Sequence, residues 1–353
     1  MVGTCGGRNR RGRGLMVGNR GLRNRAAMRP GTRVHSCVSI RSGPGRAERG
    51  GRCWLAAGMT AGALTVWAAA GVAAQAQEIQ FILSVTDAQG VPVTDLARDE
   101  IVISENGIEE QTVRVQPYHV PVKLTLAVDN GPRSREALSH YRSGLAGLVE
   151  ALPPEVEVTL ITIAPQPMMV VRPTTDRQQI LRGVNGFAPQ EDSPRFTDAL
   201  VEFSQRLEKE FQASKRHDFL PVLVMVSTTA SDAIGYQAPE ISRALVFLQQ
   251  RKARVYITMT SRGGGINDNR QAIIGLPTTE LTRGRYEALA APSRLATLLP
   301  EFGREIAALH RKHDNQVLVT VKRQEGLTGP LQHPRIEVTR PDLTGQVSFD
   351  GLP

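Results

Sequence analysis

Pro121-Val-Lys-Leu-Thr-Leu-Ala-Val-Asp129-Asn-Gly-Pro-Arg-Ser134 is the stretch that decides the fold. An apolar run, Val122 to Val128, ends abruptly on Asp129, and Gly131-Pro132 then breaks the chain before a long helical pattern. A strand covered on both faces reads as a near-continuous apolar run. When such a strand leads through a turn into a helix, the residues after it lie at the carboxyl edge of the sheet, where open α/β folds place their ligands. Asp129 is therefore the first candidate functional residue.

Outward from that stretch, strands and helices alternate, the pattern of a parallel sheet with crossover helices. A helix is expected from about Ser134 to Leu152, with Leu138, Tyr141, Leu145, Leu148 and Leu152 at helical spacing and Pro153-Pro154 as its stop. Val156 to Ile163 reads as a strand and Met168 to Val171 as a short edge strand; 176–187 and 196–211 read as helices. Leu220 to Ser227 is wholly apolar until its last residue and reads as a central strand, followed by a helix Pro239 to Gln250 and a strand Arg254 to Thr258. Ser261 to Thr279, with Gly263-Gly264-Gly265, reads as a mobile loop, and a last helix runs from about Ser293 to His310.

Both flanks read as β. Ile79, Phe81, Leu83 and Val85 alternate with polar residues, and Ile101 to Ser104 and Thr112 to Val115 flank Asn106-Gly107, a hairpin cue because both residues tolerate positive φ. Val317, Val319 and Val321 alternate likewise, as do Ile336 and Val338. Neither flank alone buries a core. The expectation is that 77–120 and 313–353 pack together as one β-sandwich-like module with 121–312 inserted between them.

The stretch 121–134 resembles the first strand of a von Willebrand factor type A domain. Further points of likeness are Val85-Thr-Asp-Ala-Gln-Gly-Val-Pro-Val-Thr-Asp-Leu96 with Glu105-Asn-Gly107, similar to the segment before type A domains in exported bacterial proteins, and Thr282-Arg-Gly-Arg-Tyr286 before the last strand. The resemblance implies a doubly wound, mostly parallel sheet and a Mg²⁺ or Mn²⁺ site. Its ligands would be an Asp-x-Ser-x-Ser motif, a threonine before the third helix and an aspartate after the fourth strand. Here Asp129, Asn130, Gly131, Pro132 and Arg133 occupy the motif, so both serines are missing. The threonine position falls on Pro194, flanked by Ser193 and Thr197, and the aspartate position on Thr228 or Thr229, with Asp232 farther out. Of the family's ligands Asp129 alone stays in place. Two roles are open to Arg133: pairing with Asp129 in place of a cation, or facing solvent.

Bulk composition narrows the function classes. The net charge is +9, but thirteen arginines and a single acidic residue, Glu48, precede residue 54, so the first 53 residues carry +12 and the rest of the chain −3. Basicity confined to a Gly/Arg-rich tail, expected to be disordered, withdraws the main support for nucleic-acid binding by the folded body. All three cysteines, Cys5, Cys37 and Cys53, lie in that tail, which leaves the body without a disulfide, a thiolate metal site or a cysteine nucleophile. From Cys53 to Gln77 no side chain is charged; Arg49 and Arg52 precede this segment and Ala74-Gln75-Ala76 closes it. That is the form of a signal peptide over 54–76 cleaved after Ala76, with an uncleaved membrane anchor as the alternative and translation starting at Met28 or later as a further one.

Other constellations are weak. His310 and His313 suit a helix end, where positive groups complement the dipole, better than a metal site lacking a third ligand. The glycine run lacks the Lys-Ser/Thr of a phosphate loop, and no Gly-x-Ser-x-Gly nucleophile elbow occurs. The sequence thus points to an exported, non-enzymatic protein-binding chain. Its binding face would comprise Asp129, Asn130, Gly131, Arg133, Ser193, Thr197, Asp198, Thr228 and Asp232, with no cofactor and a partner that is a protein. A metal-dependent adhesion domain holding Mg²⁺ or Mn²⁺ through Asp129 and Asp232, a hydrolase built on the same two aspartates, and a structural envelope module are the alternatives.

Overall fold

A computed structural model describes residues 78–214, 218–229, 232–261, 270–324, 334–340, 343 and 347–351. The arginine-rich tail, the segment 54–76 with its expected cleavage point, and the glycine run lie outside the described residues.

The inserted region forms a sheet of β4 (Val122–Val128), β5 (Glu157–Thr162), β6 (Met168–Thr174), β7 (Leu220–Thr228), β8 (Arg254–Thr260) and β9 (Arg285–Leu289), in the order β6-β5-β4-β7-β8-β9. All neighbours are parallel except β5 and β6. Counted from β4 the order is third, second, first, fourth, fifth, sixth: a doubly wound sheet whose direction of travel reverses between β4 and β7. Helices α1 (Leu138–Glu150), α2 (Arg177–Gly186) and α6 (Leu295–His313) cover one face, and α3 (Phe196–Ser214) and α4 (Ala238–Gln250) the other.

The unbroken apolar run of β7 resolves into two faces. Val222, Val224 and Val226 pack with α1 and α6, while Leu223 and Met225 pack with α3 and α4. Because strand side chains alternate, burial on both sides demands apolar residues at every position, and each fully buried aliphatic side chain contributes about 1.5–3 kcal/mol. β4 alternates in the same way, with Leu124, Leu126 and Val128 on one face and Ala127 on the other. This double burial fixes the depth at which Asp129 emerges.

Two sequence expectations change here. The helix expected from Ser134 begins as a 3-10 turn, Pro132–Ala137, and becomes α-helical only at Leu138. More substantially, part of the stretch read as a mobile loop is helix α5 (Arg270–Leu281). Its pattern is inverted: Gln271, Ala272, Thr278 and Thr279 face inward, while Ile273, Leu276 and Leu281 face outward and Ile273 is 66% exposed. Thr278 and Thr279 donate their hydroxyls to the carbonyls of Ile274 and Leu276 at 2.6 and 2.9 Å, which satisfies these buried polar groups within the helix itself. Hydrophobic periodicity therefore gives no helix signal.

The terminal segments form a second, antiparallel sheet, ordered β11-β2-β3-β10-β1-β12, from β1 (Glu78–Val85), β2 (Ile101–Glu105), β3 (Ile108–Tyr118), β10 (Gln316–Lys322), β11 (Pro334–Val338) and β12 (Val347–Gly351). β10 lies between β1 and β3, opposing Phe81 and Val115 to Val319. The two flanks therefore pack together as one module, with the strands of one paired to those of the other and their apolar side chains in one core. Asn106 and Gly107, at φ 52° and 81°, make the β2–β3 turn. Phe81, Leu83, Ile103, Val317 and Val319 form its core, beside a buried bidentate pair in which Arg323 donates to Glu105 at 2.7 and 2.5 Å.

The chain passes between the sheets at two adjacent crossings. Val120 N–H donates to the His313 carbonyl at 3.0 Å, and Val122 N–H to Nδ1 of the buried His310 at 3.3 Å. His310 is thus a structural acceptor at the start of β4, while Arg311, Lys312 and His313 fill the last turn of α6.

Candidate functional site

β4 and β7 flank the point where the sheet reverses, so the residues following them lie over the crevice where doubly wound folds bind ligands. Asp129 follows β4 and Thr228 ends β7. The Asp129 side chain is 0% exposed. Its Oδ1 accepts the Gly131 N–H at 2.7 Å. Its Oδ2 accepts the Thr228 hydroxyl at 2.7 Å, the Thr228 N–H at 3.1 Å and the Ser227 hydroxyl at 3.2 Å. Burial pushes the carboxyl group above its ordinary pKa, against the opposing pull of these donors. Tyr141, fully buried on α1 with its hydroxyl 3.5 Å from the Thr260 hydroxyl, is pushed up by burial and then by the nearby Asp129 charge.

Arg133 takes no part in this. Its side chain is exposed on the 3-10 turn, and among the described residues no hydrogen bond or ion pair joins it to Asp129. Of the two roles open to Arg133 the structure shows the solvent-facing one, because backbone amides and hydroxyls have already taken the carboxylate. Gly131 is where a motif serine would stand. A Cβ there would sit 3.1 Å from Asp129 Oδ1, 3.1 Å from Pro194 Cδ and 3.2 Å from the Asp192 carbonyl. Pro194, the residue at the threonine position, thus closes over the glycine, so the two departures from the family motif fit one another. Asn130 ties the neighbouring loops together, accepting the Ala164 N–H on Oδ1 and donating from Nδ2 to the Ala188 carbonyl, both at 3.0 Å.

The remaining candidates gather at the N-terminus of α3. Asp232, from the loop after β7, accepts the N–H groups of Phe196 (2.8 Å) and Thr197 (3.2 Å) and the Thr197 hydroxyl (2.5 Å). It caps the helix from a distant segment, satisfying donors that a helix start leaves unpaired. Burial, with the Asp198 charge adding to it, holds its carboxyl above the ordinary value despite these bonds. Asp198 in turn accepts the Gly235 N–H at 2.8 Å and Arg195 Nη1 at 2.9 Å, and Ala233 N–H donates to the Pro194 carbonyl at 3.1 Å. The post-β7 loop is therefore fastened at two points to α3 and at a third to Pro194 just before it. Ser193 is half-buried beside them.

The structure thus makes two clusters of the predicted residues: Asp129, Gly131 and Thr228 in one, Thr197, Asp198 and Asp232 in the other. Ser227 and Tyr141 join the first cluster and Arg195 and Gly235 the second; of these Ser227, Tyr141 and Gly235 lay outside the face expected from the sequence. Ser227 carried a signal, being the first polar residue of an apolar strand; the others carried none. An octahedral Mg²⁺ needs about six oxygens close around it. Here both oxygens of Asp129 receive N–H or O–H donors, Asp232 is a helix cap, and Gly131, Arg133 and Pro194 bring no side-chain oxygen. This donor set does not fit a divalent ion. Among the described residues no group of three or more His, Cys, Asp or Glu side chains assembles a metal site.

No protein-family profile and no curated protein matches the chain. Solved structures similar to it include a von Willebrand factor type A protein from Catenulispora acidiphila, 9% identical with a TM-score of 0.43, covering 80% of this chain and 74% of that one. The conserved hypothetical protein BatB from Bacteroides thetaiotaomicron is 13% identical with a TM-score of 0.39, over 53% of this chain and 99% of that one. Proximal thread matrix protein 1 of the mussel byssus, with a zinc-occupied MIDAS motif, is 9% identical with a TM-score of 0.39, over 58% and 48%.

Proposed function

We propose that this chain is an exported, non-enzymatic binding protein whose doubly wound module recognises a protein partner through the loops at the carboxyl edge of its sheet, without an ion. The observation that carries the reading is the Asp129 carboxylate, which spends its acceptor capacity on Gly131, Ser227 and Thr228 inside the protein. A carboxylate meant for a cation would present lone pairs to the crevice, whereas this one receives hydrogens. The same fact argues against a hydrolase, since Asp129 is sealed and Asp232 is engaged as a cap. Around these buried anchors, Pro132, Arg133, Arg135 and Glu191 are exposed, the last two joined by an ion pair of 2.5 Å. These are groups a partner can touch.

Export rests on the uncharged segment ending Ala74-Gln75-Ala76. Among the described residues no helix is long and apolar enough to cross a membrane. Sequencing the mature N-terminus tests this part, with a start at Gln77 expected and retention of residues before Trp54 against it. The binding reading is tested by capture from envelope extract with the full chain, in parallel with Mg²⁺ and with EDTA. Equal capture in both, reduced by Arg133→Glu, is the expected result. Capture abolished by EDTA contradicts it.

A further inference from the structure

The two edges of the parallel sheet are finished in opposite ways. On β9, Arg285 pairs with Glu287 at 2.6 Å, Glu305 at 2.8 Å and Glu301 at 3.6 Å, a charge cluster that discourages an added strand. On β6, whose only neighbour among the described residues is β5, Met168, Met169 and Val170 stand 51%, 47% and 39% exposed, and Val171 turns inward to the core under α2. Exposed consecutive apolar side chains on a one-sided strand are what proteins usually remove.

We propose that β6 accepts an extended, acidic and apolar segment of a partner protein as a seventh strand. The open backbone edge calls for a chain in extended conformation, because only a strand returns both N–H and C=O partners. Pro167 and Pro173, with register breaks against β5 at Val158/Leu160 and Leu160/Ile161, confine pairing to Met168–Arg172, about 17 Å of strand. Flexible methionines fit varied apolar side chains. The acidic character follows from charge. Arg172 is exposed and makes no ion pair among the described residues, and α2, packed on β6, exposes Arg182. The nearby Asp176 is engaged with the N–H groups of Gln178 and Gln179 at 2.9 and 3.1 Å.

This edge adjoins the proposed loop face without depending on it. The loop before β6 is anchored by Ala164 N–H on Asn130 at 3.0 Å and by Arg195 Nε on the Pro165 carbonyl at 2.8 Å.

The test is a random-peptide display selection against the full chain, followed by affinity measurement on synthetic copies of the enriched peptides. Enriched sequences should alternate β-branched or aromatic residues with Asp or Glu. Arg172→Glu should weaken them roughly tenfold and Met169→Lys by a similar factor. Both side chains are exposed, and an unchanged denaturation midpoint would show that the variants fold. N-methylation along the peptide should abolish binding at every second position, the signature of strand pairing. Failure to enrich any sequence, enriched peptides without acidic residues, unchanged affinity for Arg172→Glu, or an N-methyl scan without that period would each overturn the proposal. Loss of binding with Arg133→Glu but not Arg172→Glu would assign the peptides to the loop face instead.

Discussion

Replacing Asp129 by alanine should destabilise the protein, and the structure gives the scale. Four donors lose their acceptor. The Ser227 and Thr228 hydroxyls can rotate toward other acceptors, but the N–H groups of Gly131 and Thr228 are fixed by the backbone. A buried donor left unsatisfied costs about 1–3 kcal/mol, so the two together cost roughly 2–6 kcal/mol. Removing the carboxylate also removes its burial penalty, which brings the net loss toward the lower half of that range. Asp129→Asn keeps the size and one acceptor but turns an NH₂ toward donors, and it should fall between wild type and Asp129→Ala. Urea unfolding followed by far-ultraviolet circular dichroism measures both. With a slope near the upper end of about 1–3 kcal/mol/M, the alanine midpoint should drop by roughly 1 M.

The pH dependence adds a sign. A carboxyl whose folded pKa is raised stabilises the fold fully below its unfolded value and progressively less as pH rises through the folded one. Wild type should therefore gain on Asp129→Ala as pH falls toward 3.8, the ordinary value of this group. Stability of Asp129→Ala within about 0.5 kcal/mol of wild type, the range of an ordinary surface change, would refute the account of this aspartate as an internally satisfied anchor.

Three further outcomes follow from the same geometry. Asp232→Ala removes the cap of α3 and should cost about 1 kcal/mol in urea unfolding, with faster hydrogen exchange at Phe196, Thr197 and Gly235. Gly131→Ser forces a Cβ into the 3.1 Å spaces beside Pro194 and Asp129; it should cost about 1–3 kcal/mol, with part recovered in the Gly131→Ser/Pro194→Ala double variant. Glu105→Ala leaves the 2% exposed Arg323 without its carboxylate and should cost about 3–5 kcal/mol, whereas Glu105→Met with Arg323→Leu should be close to neutral.

Much of this architecture was legible because one physical demand wrote it. Strands buried on both faces must be largely apolar, and that made Val122–Val128, polar only at Lys123 and Thr125, and Leu220–Ser227 readable as core strands with Asp129 at the sheet's edge. The Asn106-Gly107 turn was legible because its positive φ values restrict the residues that fit. α5 was not, since Ile273 and Leu281 point outward and threonines point inward with their hydroxyls satisfied locally. Nor could spacing reveal that Asp232 reaches back to cap a helix beginning 36 residues earlier, or that Pro194 closes over Gly131. Arg133 looked like a substitute for a cation only while the Thr228 and Gly131 amides were invisible as competitors for the same carboxylate.

Calorimetric titration of the mature protein with Mg²⁺ and with Mn²⁺ bears most directly on the central claim, that this sheet presents its carboxyl edge to a partner without an ion. No saturable heat up to millimolar cation is predicted for wild type. A micromolar isotherm that disappears in Asp129→Asn would contradict the account.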